Sequence, residues 1–208
     1  MFSSIEEIDD LVNRHVQYRQ SCLNLIASEN YSSPIVRNHL TSDFGNRYGC
    51  YPTVNPASRE YRGNKYIHEF EIKTQSLVGE IFGATYVDLR AIGGHIAGVA
   101  SVLSLLSPND LVLEIALQDW GHGLVALMRE AIHLNQTIRT DFIPFDDNKA
   151  VDVDKLVKML YELKPRMLIF GGSGMLWPEP IAEIKEIAVK LGIILVHDSS
   201  HEIGRAHV

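Results

Sequence analysis

Short apolar segments alternate with segments of helical periodicity over most of the chain, and this alternation constrains the fold more than any other feature of the sequence. It predicts a helix from Ile67 to about Phe82, which Gly83 ends. The strands predicted after it are 85–89, 111–115, 138–143, 166–170 and 193–197, and the helices between them are 94–106, 122–134, 152–163 and 179–190. Chains that alternate in this way fold as α/β domains with a largely parallel sheet.

The N-terminal part of the chain does not share this alternation. Residues 3–19 are predicted as a helix with one apolar face, and Ser3 or Ser4 can cap it. Residues 21–65 are rich in Asn, Ser, Tyr, Gly and Pro and show little periodicity. A segment of that length without regular structure is unusual inside a compact domain, so we expect it to be functional or to contact a partner.

Composition narrows the function classes. The formal net charge is -7, with acidic and basic residues mixed along the chain, which argues against a nucleic-acid or anionic-membrane partner. The sequence begins with the polar stretch SSIEEIDD rather than an apolar leader, and no apolar run is long enough to span a bilayer. Cys22 and Cys50 are too few for a disulfide framework, and we expect no metal site. The chain is therefore expected to be cytoplasmic.

Three polar stretches follow predicted strands. They read RAIGGHIAG after 85–89, GGSGM after 166–170 and HDSSH after 193–197. Ligands of open α/β sheets bind at the carboxyl ends of the strands. The last two strands are joined by one helix, and a right-handed crossover of this kind brings Ser173 and Asp198 to the same edge of the sheet.

Each of these stretches has a structural interpretation beside a functional one. Gly93 and Gly94 form either a tight turn into a helix or, through free backbone N–H groups, a phosphate site. The stretch is not GxGxxG, so a dinucleotide site has no support. Asp198 alone could be a strand-end cap, His122 a residue at a helix start, and His201 a surface residue. Because all of these residues are predicted at one edge of the sheet, the functional interpretation, a catalytic or cofactor-binding site, is favoured.

The combination fits one cofactor in particular. A carboxylate such as Asp198 can pair with the protonated ring nitrogen of pyridoxal phosphate, which keeps that ring an electron sink. An imidazole such as His122 can stack on the ring face. Ser173 can hydrogen-bond the phenolic oxygen, and the glycine turn can hold the phosphate.

The motifs also occur in an order that points to a family. LNLIASENYSSPIV at residues 23–36 is the most specific, and NRYGCYP, EYRGNKYIHEFE, GGHIAG, WGHG, GGSGM and HDSSH follow it. In this series the chain resembles the serine hydroxymethyltransferases, which are fold-type-I pyridoxal phosphate enzymes. The resemblance implies a three-layer α/β/α fold, pyridoxal 5'-phosphate as cofactor, tetrahydrofolate as a possible co-substrate, serine or glycine as substrate, and a homodimer at full length.

The resemblance also implies roles for individual residues. The cofactor-binding set is Gly93, Gly94 and His95 in the phosphate loop, His122 stacked on the ring, Asp198 at the pyridine nitrogen, and Ser173 and His201 on the side of the phenolic oxygen. The catalytic set is His122, Asp198 and His201. The substrate-binding set is Ser28, Tyr48 and Tyr61, which contact the amino acid or the cofactor of a neighbouring subunit.

The sequence departs from the family pattern at several of these places. Cys50 stands about where the family has a glutamate, and a thiol is a poor replacement for an acid–base carboxylate at neutral pH. Gly93 and His95 replace the serines of the phosphate loop, and Arg62 replaces a tyrosine. Two alternatives therefore stay open, a folate-independent aldolase or transaldolase acting on glycine, serine or threonine, and a non-catalytic paralogue.

The resemblance further implies a division of the chain. Residues 1–66 would form the N-terminal helix and an extended segment for the dimer and active site, and residues 67–201 part of the cofactor-binding domain. Residues 202–208, EIGRAHV, are expected to be either a non-native tail or a natural loop. The family's lysine that bonds to the cofactor would lie beyond the chain. The chain is accordingly expected to be a truncated part of a transferase.

Overall fold

A computed structural model describes residues 5–26, 29–49, 53, 55–58, 60–131 and 138–201. Five of the predictions fall outside these residues. They concern the caps Ser3 and Ser4, the substrate residue Ser28, the replacement at Cys50 and the tail 202–208.

Helices and strands alternate in the C-terminal two thirds, as the sequence predicts. In chain order the elements are α1 (Ile5–Gln20), α2 (Pro34–Leu40), α3 (Lys65–Phe82), α4 (Gly94–Leu105), β1 (Leu111–Glu114), α5 (Leu124–Ala131), β2 (Arg139–Phe142), α6 (Val153–Leu163), β3 (Met167–Phe170), α7 (Ile181–Leu191) and β4 (Ile194–His197). Short 3₁₀ turns lie at Asp43–Asn46, Pro56–Ser58, Arg62–Asn64 and Leu117–Asp119.

The four strands form one parallel sheet in the order β2-β1-β3-β4. In its register Leu113 of β1 lies opposite both Asp141 of β2 and Leu168 of β3, and Phe170 of β3 lies opposite His197 of β4. The carboxyl ends of all four strands therefore meet at one edge, which confirms the predicted α/β fold with a parallel sheet.

Helices cover both faces of this sheet. On one face Leu113, Leu168 and Phe170 pack with Leu156 of α6 and Ile184 of α7. On the other face, Val112, Met167 and Ile169 pack with residues of α4 and α5, namely Val102, Leu124, Val125 and Met128. Successive side chains of a strand point to opposite faces, so the apolar run of β3 supplies both cores. This arrangement is the expected three-layer architecture.

The helix ends follow local sequence signals. Asp152 precedes α6, and its side chain accepts a hydrogen bond from the N–H of Lys155 at 3.0 Å. Gly83 ends α3 with a φ of 62°, a left-handed conformation that costs glycine little because it has no Cβ. The predicted end of that helix is confirmed.

The predicted strand at 85–89 is wrong. These residues have no strand assignment, and the sheet of the described residues does not include them. Tyr86 is 92% exposed, and the carbonyl of Val87 accepts a hydrogen bond from the side chain of Gln75 at 3.3 Å. An apolar run becomes a strand only where its backbone finds a partner, and this run pairs with neither β2 nor β4, the two outer strands.

The segment 21–65 is largely exposed where it is described. Leu23, Leu25 and Tyr31 are among its exposed apolar side chains. The sequence interpretation missed helix α2, which begins at Pro34 after Ser33, whose hydroxyl accepts a hydrogen bond from the N–H of Val36. Serine followed by proline is a helix-start signal that the lack of periodicity concealed. Across the described ranges, no helix has the length and apolar character to cross a membrane.

The two leucines of α6 provide a test of this packing. Leu160 is fully buried between α6 and the sheet, whereas Leu163 is 40% exposed on the same helix. We expect Leu160→Ala to lower the free energy of unfolding by about 2–5 kcal/mol through the lost apolar contacts and the cavity left behind. Leu163→Ala, the matched control, should cost less than half as much. Urea denaturation of the full-length protein measures both, and equal losses would contradict the described core.

Candidate active site

A cavity of about 370 Å³ lies at the carboxyl edge of the sheet, in the size range of small-molecule sites. Its lining includes Glu114 at the end of β1, Asp198 after β4, Gly94 and His95 at the start of α4, and His122 between β1 and α5. Four of the residues predicted from the sequence as site residues therefore line one cavity.

Asp198 is held at this edge through both its backbone and its side chain. Its N–H donates to the carbonyl of Phe170 at 3.0 Å, which continues the β3–β4 pairing by one residue. Its Oδ1 accepts hydrogen bonds from the N–H of Ser200 at 3.0 Å and from Ser200 Oγ at 2.5 Å. Its Oδ2 lies 3.4 Å from His122 Nδ1. The carboxylate is thus fixed on one oxygen and faces an imidazole with the other.

These contacts determine the charge of Asp198. Partial burial acts to raise the pKa of the carboxyl, but the two hydrogen bonds from Ser200 and the nearby charges of His122 and His201 outweigh it, and the pKa is lowered from 3.8. The Asp198 side chain is therefore ionised at neutral pH.

His122 is positioned by a tight loop. Trp120 takes a left-handed conformation with a φ of 67°, and Gly121 pairs with Gly172 in an isolated bridge. A Cβ added at Gly121 would lie 2.0 Å from the carbonyl oxygen of Ile115, so the loop admits only glycine there. Among the described residues, His122 Nε2 is buried and has no hydrogen-bond partner. This ring nitrogen is available to a ligand in the cavity.

His201 and Ser173 both contact the loop that carries His122. The His201 ring lies 6.0 Å from the His122 ring at an angle of 89°, an edge-to-face contact. The N–H of Ser173 donates to the carbonyl of Trp120 at 2.8 Å, which joins the loops that follow β1 and β3. Within the described part of the chain neither residue belongs to the cavity lining. A role of the Ser173 hydroxyl stays a prediction.

The N-terminus of α4 faces the loop after β4. Gly93 is the N-cap, in extended conformation with a φ of -176°, and makes no side-chain cap hydrogen bond. A Cβ added at Gly94 would lie 3.1 Å from Ser200 Oγ, so the two loops approach closely. Helix geometry leaves the first N–H groups of α4 without intrahelical acceptors, and the helix dipole is positive at this end. An anionic group suits this position.

Sequence reasoning missed Glu114, a buried carboxylate in the cavity wall. It is 2% exposed, and its oxygens accept hydrogen bonds from the N–H groups of Val125 and Ala126 at 3.0 Å each. Burial raises the pKa of the Glu114 carboxyl, although the N–H groups at the start of α5 act to lower it. The available signal in the sequence was the position of Glu114, an acidic residue directly after the apolar residues Leu111 to Leu113.

Tyr48 and Tyr61 lie together, but not in this cavity. Their rings are in edge-to-face contact with 5.2 Å between centroids, and the Asn64 side chain donates to the Tyr48 carbonyl at 2.8 Å. Neither tyrosine lines the cavity as far as the described residues extend. The structure therefore does not bring these two predicted substrate residues to Asp198 within one chain.

Comparison with known proteins identifies the family. Residues 2–206 match the sequence profile of the family described as serine hydroxymethyltransferase. The chain belongs to this family. It is similar to the serine hydroxymethyltransferases of Pyrobaculum calidifontis (37% identity over 96% of this chain and 46% of the relative), Korarchaeum cryptofilum (35%, 91% and 45%) and Methanopyrus kandleri (32%, 93% and 44%). The chain spans less than half the length of these curated relatives.

The family depends on pyridoxal phosphate, with tetrahydrofolate as co-substrate, and its cofactor-binding domain has the fold-type-I architecture. The residues of the cavity fit this cofactor. Among the described residues, the cavity is lined by the ionised carboxylate of Asp198, by the imidazole of His122, whose buried Nε2 has no hydrogen-bond partner, and by Gly94 at the start of α4, whose N-cap makes no side-chain hydrogen bond. The carboxylate complements a pyridinium N–H, the face of the imidazole an aromatic ring, and the helix N-terminus a phosphate.

The hydrogen bond from Ser200 provides a test of the charge at Asp198. We expect Ser200→Ala to raise the pKa of the Asp198 carboxyl toward 3.8, because the variant loses the Oγ donor. A lowered carboxyl pKa stabilises the fold above the unfolded-state pKa, and this stabilisation is lost as the pH falls through the folded-state pKa. The variant should therefore be slightly less stable at neutral pH.

Carbon-13 NMR of the aspartate carboxyl groups during an acid titration measures this pKa. Ser199→Ala is the matched control, since Ser199 is not among the groups that lower the pKa of Asp198. A pKa of Asp198 that is the same in Ser200→Ala as in the parent protein would contradict the described geometry.

Proposed function

We propose that the protein, at its full natural length, interconverts serine and glycine with pyridoxal phosphate as cofactor and tetrahydrofolate as co-substrate. One observation carries the proposal, the ionised carboxylate of Asp198 at the carboxyl end of β4, 3.4 Å from His122 in a cavity of about 370 Å³. The family match over residues 2–206 supports it.

The cofactor, when bound, supplies an electron sink for negative charge that develops on the amino acid. Asp198 would accept a hydrogen bond from the protonated ring nitrogen of the cofactor. Because the pKa of the Asp198 carboxyl is lowered, the proton would stay on the ring nitrogen. His122 would stack on the ring, with Nε2 available to a ligand atom. The first turn of α4 would hold the phosphate through the N–H groups that follow Gly93.

The tetrahydrofolate step is the part of the proposal with an alternative. Cys50 stands about where the family has a glutamate, and this observation favours a folate-independent aldolase or transaldolase as the second candidate. Retro-aldol cleavage of a β-hydroxy amino acid needs the electron sink and a base but no folate. Asp198 would support the electron sink by holding the proton of the ring nitrogen.

Replacing Asp198 tests the cofactor site directly. A hydrogen bond to a charged group contributes about 1.5–3 kcal/mol, so Asp198→Asn should lower the affinity for pyridoxal phosphate by roughly 10- to 100-fold. Asp147→Asn, at an exposed turn residue, is the control and should bind as the parent protein does. Equilibrium dialysis of the full-length cofactor-free protein measures the affinities, and equal affinity in both variants would refute the assigned role.

Product analysis with and without tetrahydrofolate separates the two candidate functions. Serine cleavage that requires tetrahydrofolate supports the proposed function and shows that another residue does the work of the family's glutamate. Cleavage of β-hydroxy amino acids that is indifferent to tetrahydrofolate supports the aldolase. With Cys50 in place we expect folate-dependent turnover to be slower than in a Cys50→Glu variant.

We also propose that the protein is a homodimer. Helix α1 buries none of its residues in the described part of the chain, and Ile5, Ile8, Leu11, Val12 and Val16 are exposed by 47% or more. Their spacing of three and four residues forms one apolar stripe along the helix. Contiguous exposed apolar surface of this kind is typical of a contact with another polypeptide. A second copy of the protein, which would pair stripe with stripe about a two-fold axis, is the partner that we propose.

A charge on this stripe should disrupt the dimer. We expect Leu11→Glu to convert the full-length protein to monomers, because it places a carboxylate in an apolar contact. Val189→Glu is the control, since Val189 is 73% exposed on α7, outside the stripe. Size-exclusion chromatography with light scattering measures the mass. A parent protein that is itself monomeric, or a Leu11→Glu variant that remains dimeric, would refute this interface.

A further inference from the structure

Glu179 is a buried carboxylate that no role assigned above explains. It lies between β3 and α7, and its side chain is 3% exposed. Removing a carboxylate from water is costly unless the surrounding groups compensate its charge and its lone pairs. The contacts of Glu179 therefore indicate what it does.

The two oxygens of Glu179 contact the ends of two neighbouring strands. Oε1 accepts a hydrogen bond from the N–H of Gly171, the residue after β3, at 2.8 Å. Oε2 lies 3.1 Å from His197 Nε2, an ion-pair contact with the last residue of β4. One side chain thus joins Gly171, the residue after β3, to His197, the last paired residue of β4.

Both of these contacts adjoin Asp198. Gly171 has a φ of 121°, and a Cβ added there would lie 2.5 Å from the carbonyl oxygen of Asp198 and 2.8 Å from its Cβ. The backbone of Gly171 therefore lies directly against Asp198. His197 precedes Asp198 in the chain and lines the same cavity.

We propose that Glu179 is a positioning residue, which holds Gly171 and His197 and thereby sets the position of the Asp198 carboxylate in the cavity. The importance of that position for cofactor binding rests on the proposed function. The positioning itself does not, because it concerns contacts within the chain alone.

Glu179→Gln tests the proposal with little change in shape. The amide oxygen of glutamine can still accept from Gly171, but its NH₂ group then faces His197, where the parent protein has a carboxylate oxygen. An NH₂ group can only donate, so His197 Nε2 would have to accept a hydrogen bond from it. Glu183→Gln is the matched control, since it makes the same substitution at an exposed position of α7.

The readouts come from the cofactor-free full-length protein. Nitrogen-15 NMR of the imidazole rings reports the tautomer of His197, the amide signal of Gly171 reports its hydrogen bond, and the carbon-13 signal of the Asp198 carboxyl reports its surroundings. We expect Glu179→Gln to change the His197 and Asp198 signals and Glu183→Gln to leave them unchanged. Affinity for pyridoxal phosphate should also fall, but by less than the roughly 10- to 100-fold expected for Asp198→Asn, because the carboxylate itself remains.

The outcomes separate the two proposals. An unchanged Asp198 signal in Glu179→Gln overturns the positioning role, whatever happens to His197. A shifted Asp198 signal with the circular dichroism of the parent protein supports it, because a purely structural ion pair would not act on that carboxyl. If the parent protein fails to bind pyridoxal phosphate, the proposed function fails, and the NMR signals still decide the role of Glu179.

Discussion

The complete burial of β3 is the constraint on which the rest of the described structure depends. All four of its residues are buried, and alternate side chains enter the two cores on opposite faces of the sheet. Leu168 and Phe170 contact the layer of α6 and α7, and Met167 and Ile169 the layer of α4 and α5. A strand buried on both faces fixes the register of its neighbours, since a shift by one residue would exchange its two faces.

That register determines where the functional groups lie. Phe170 pairs with His197, and the carbonyl of Phe170 accepts a hydrogen bond from the N–H of Asp198. The pairing of β3 with β4 therefore places the Asp198 carboxylate at the cavity. On the other side of β3, Glu114 ends β1 beneath the N-terminus of α5. The local surroundings then give the carboxylates different proton affinities. The pKa of Asp198 is lowered and that of Glu114 is raised, although the two residues line the same cavity.

The sequence predicts features that depend on a regular period or on a short motif. The strands around 111, 139, 167 and 194 and the helices between them follow from apolar periodicity, and HDSSH and WGHG placed Asp198 and His122 at one edge. The prediction of a strand at 85–89 was wrong because the residues of a segment do not specify which strand, if any, its backbone can pair with. Glu114 and Glu179 were missed because each is a single acidic residue, whose role is defined by backbone groups that the fold brings to it. Tyr48 and Tyr61 came from the family resemblance, and the described chain places them beside each other rather than in the cavity.

The order of the strands also bears on how the molecule is made. β1 pairs with β2, the next strand in the chain, but its other neighbour is β3, so the sheet grows outward from β1 in both directions. Of the described strands, β4 is the last in the chain, and it lies on the outer side of β3. During synthesis on a ribosome, which proceeds from the N-terminus, the carboxylate of Asp198 reaches its place only after every other strand of this sheet has emerged. Pairing among β1, β2 and β3 is therefore possible in a nascent chain before the site at Asp198 exists.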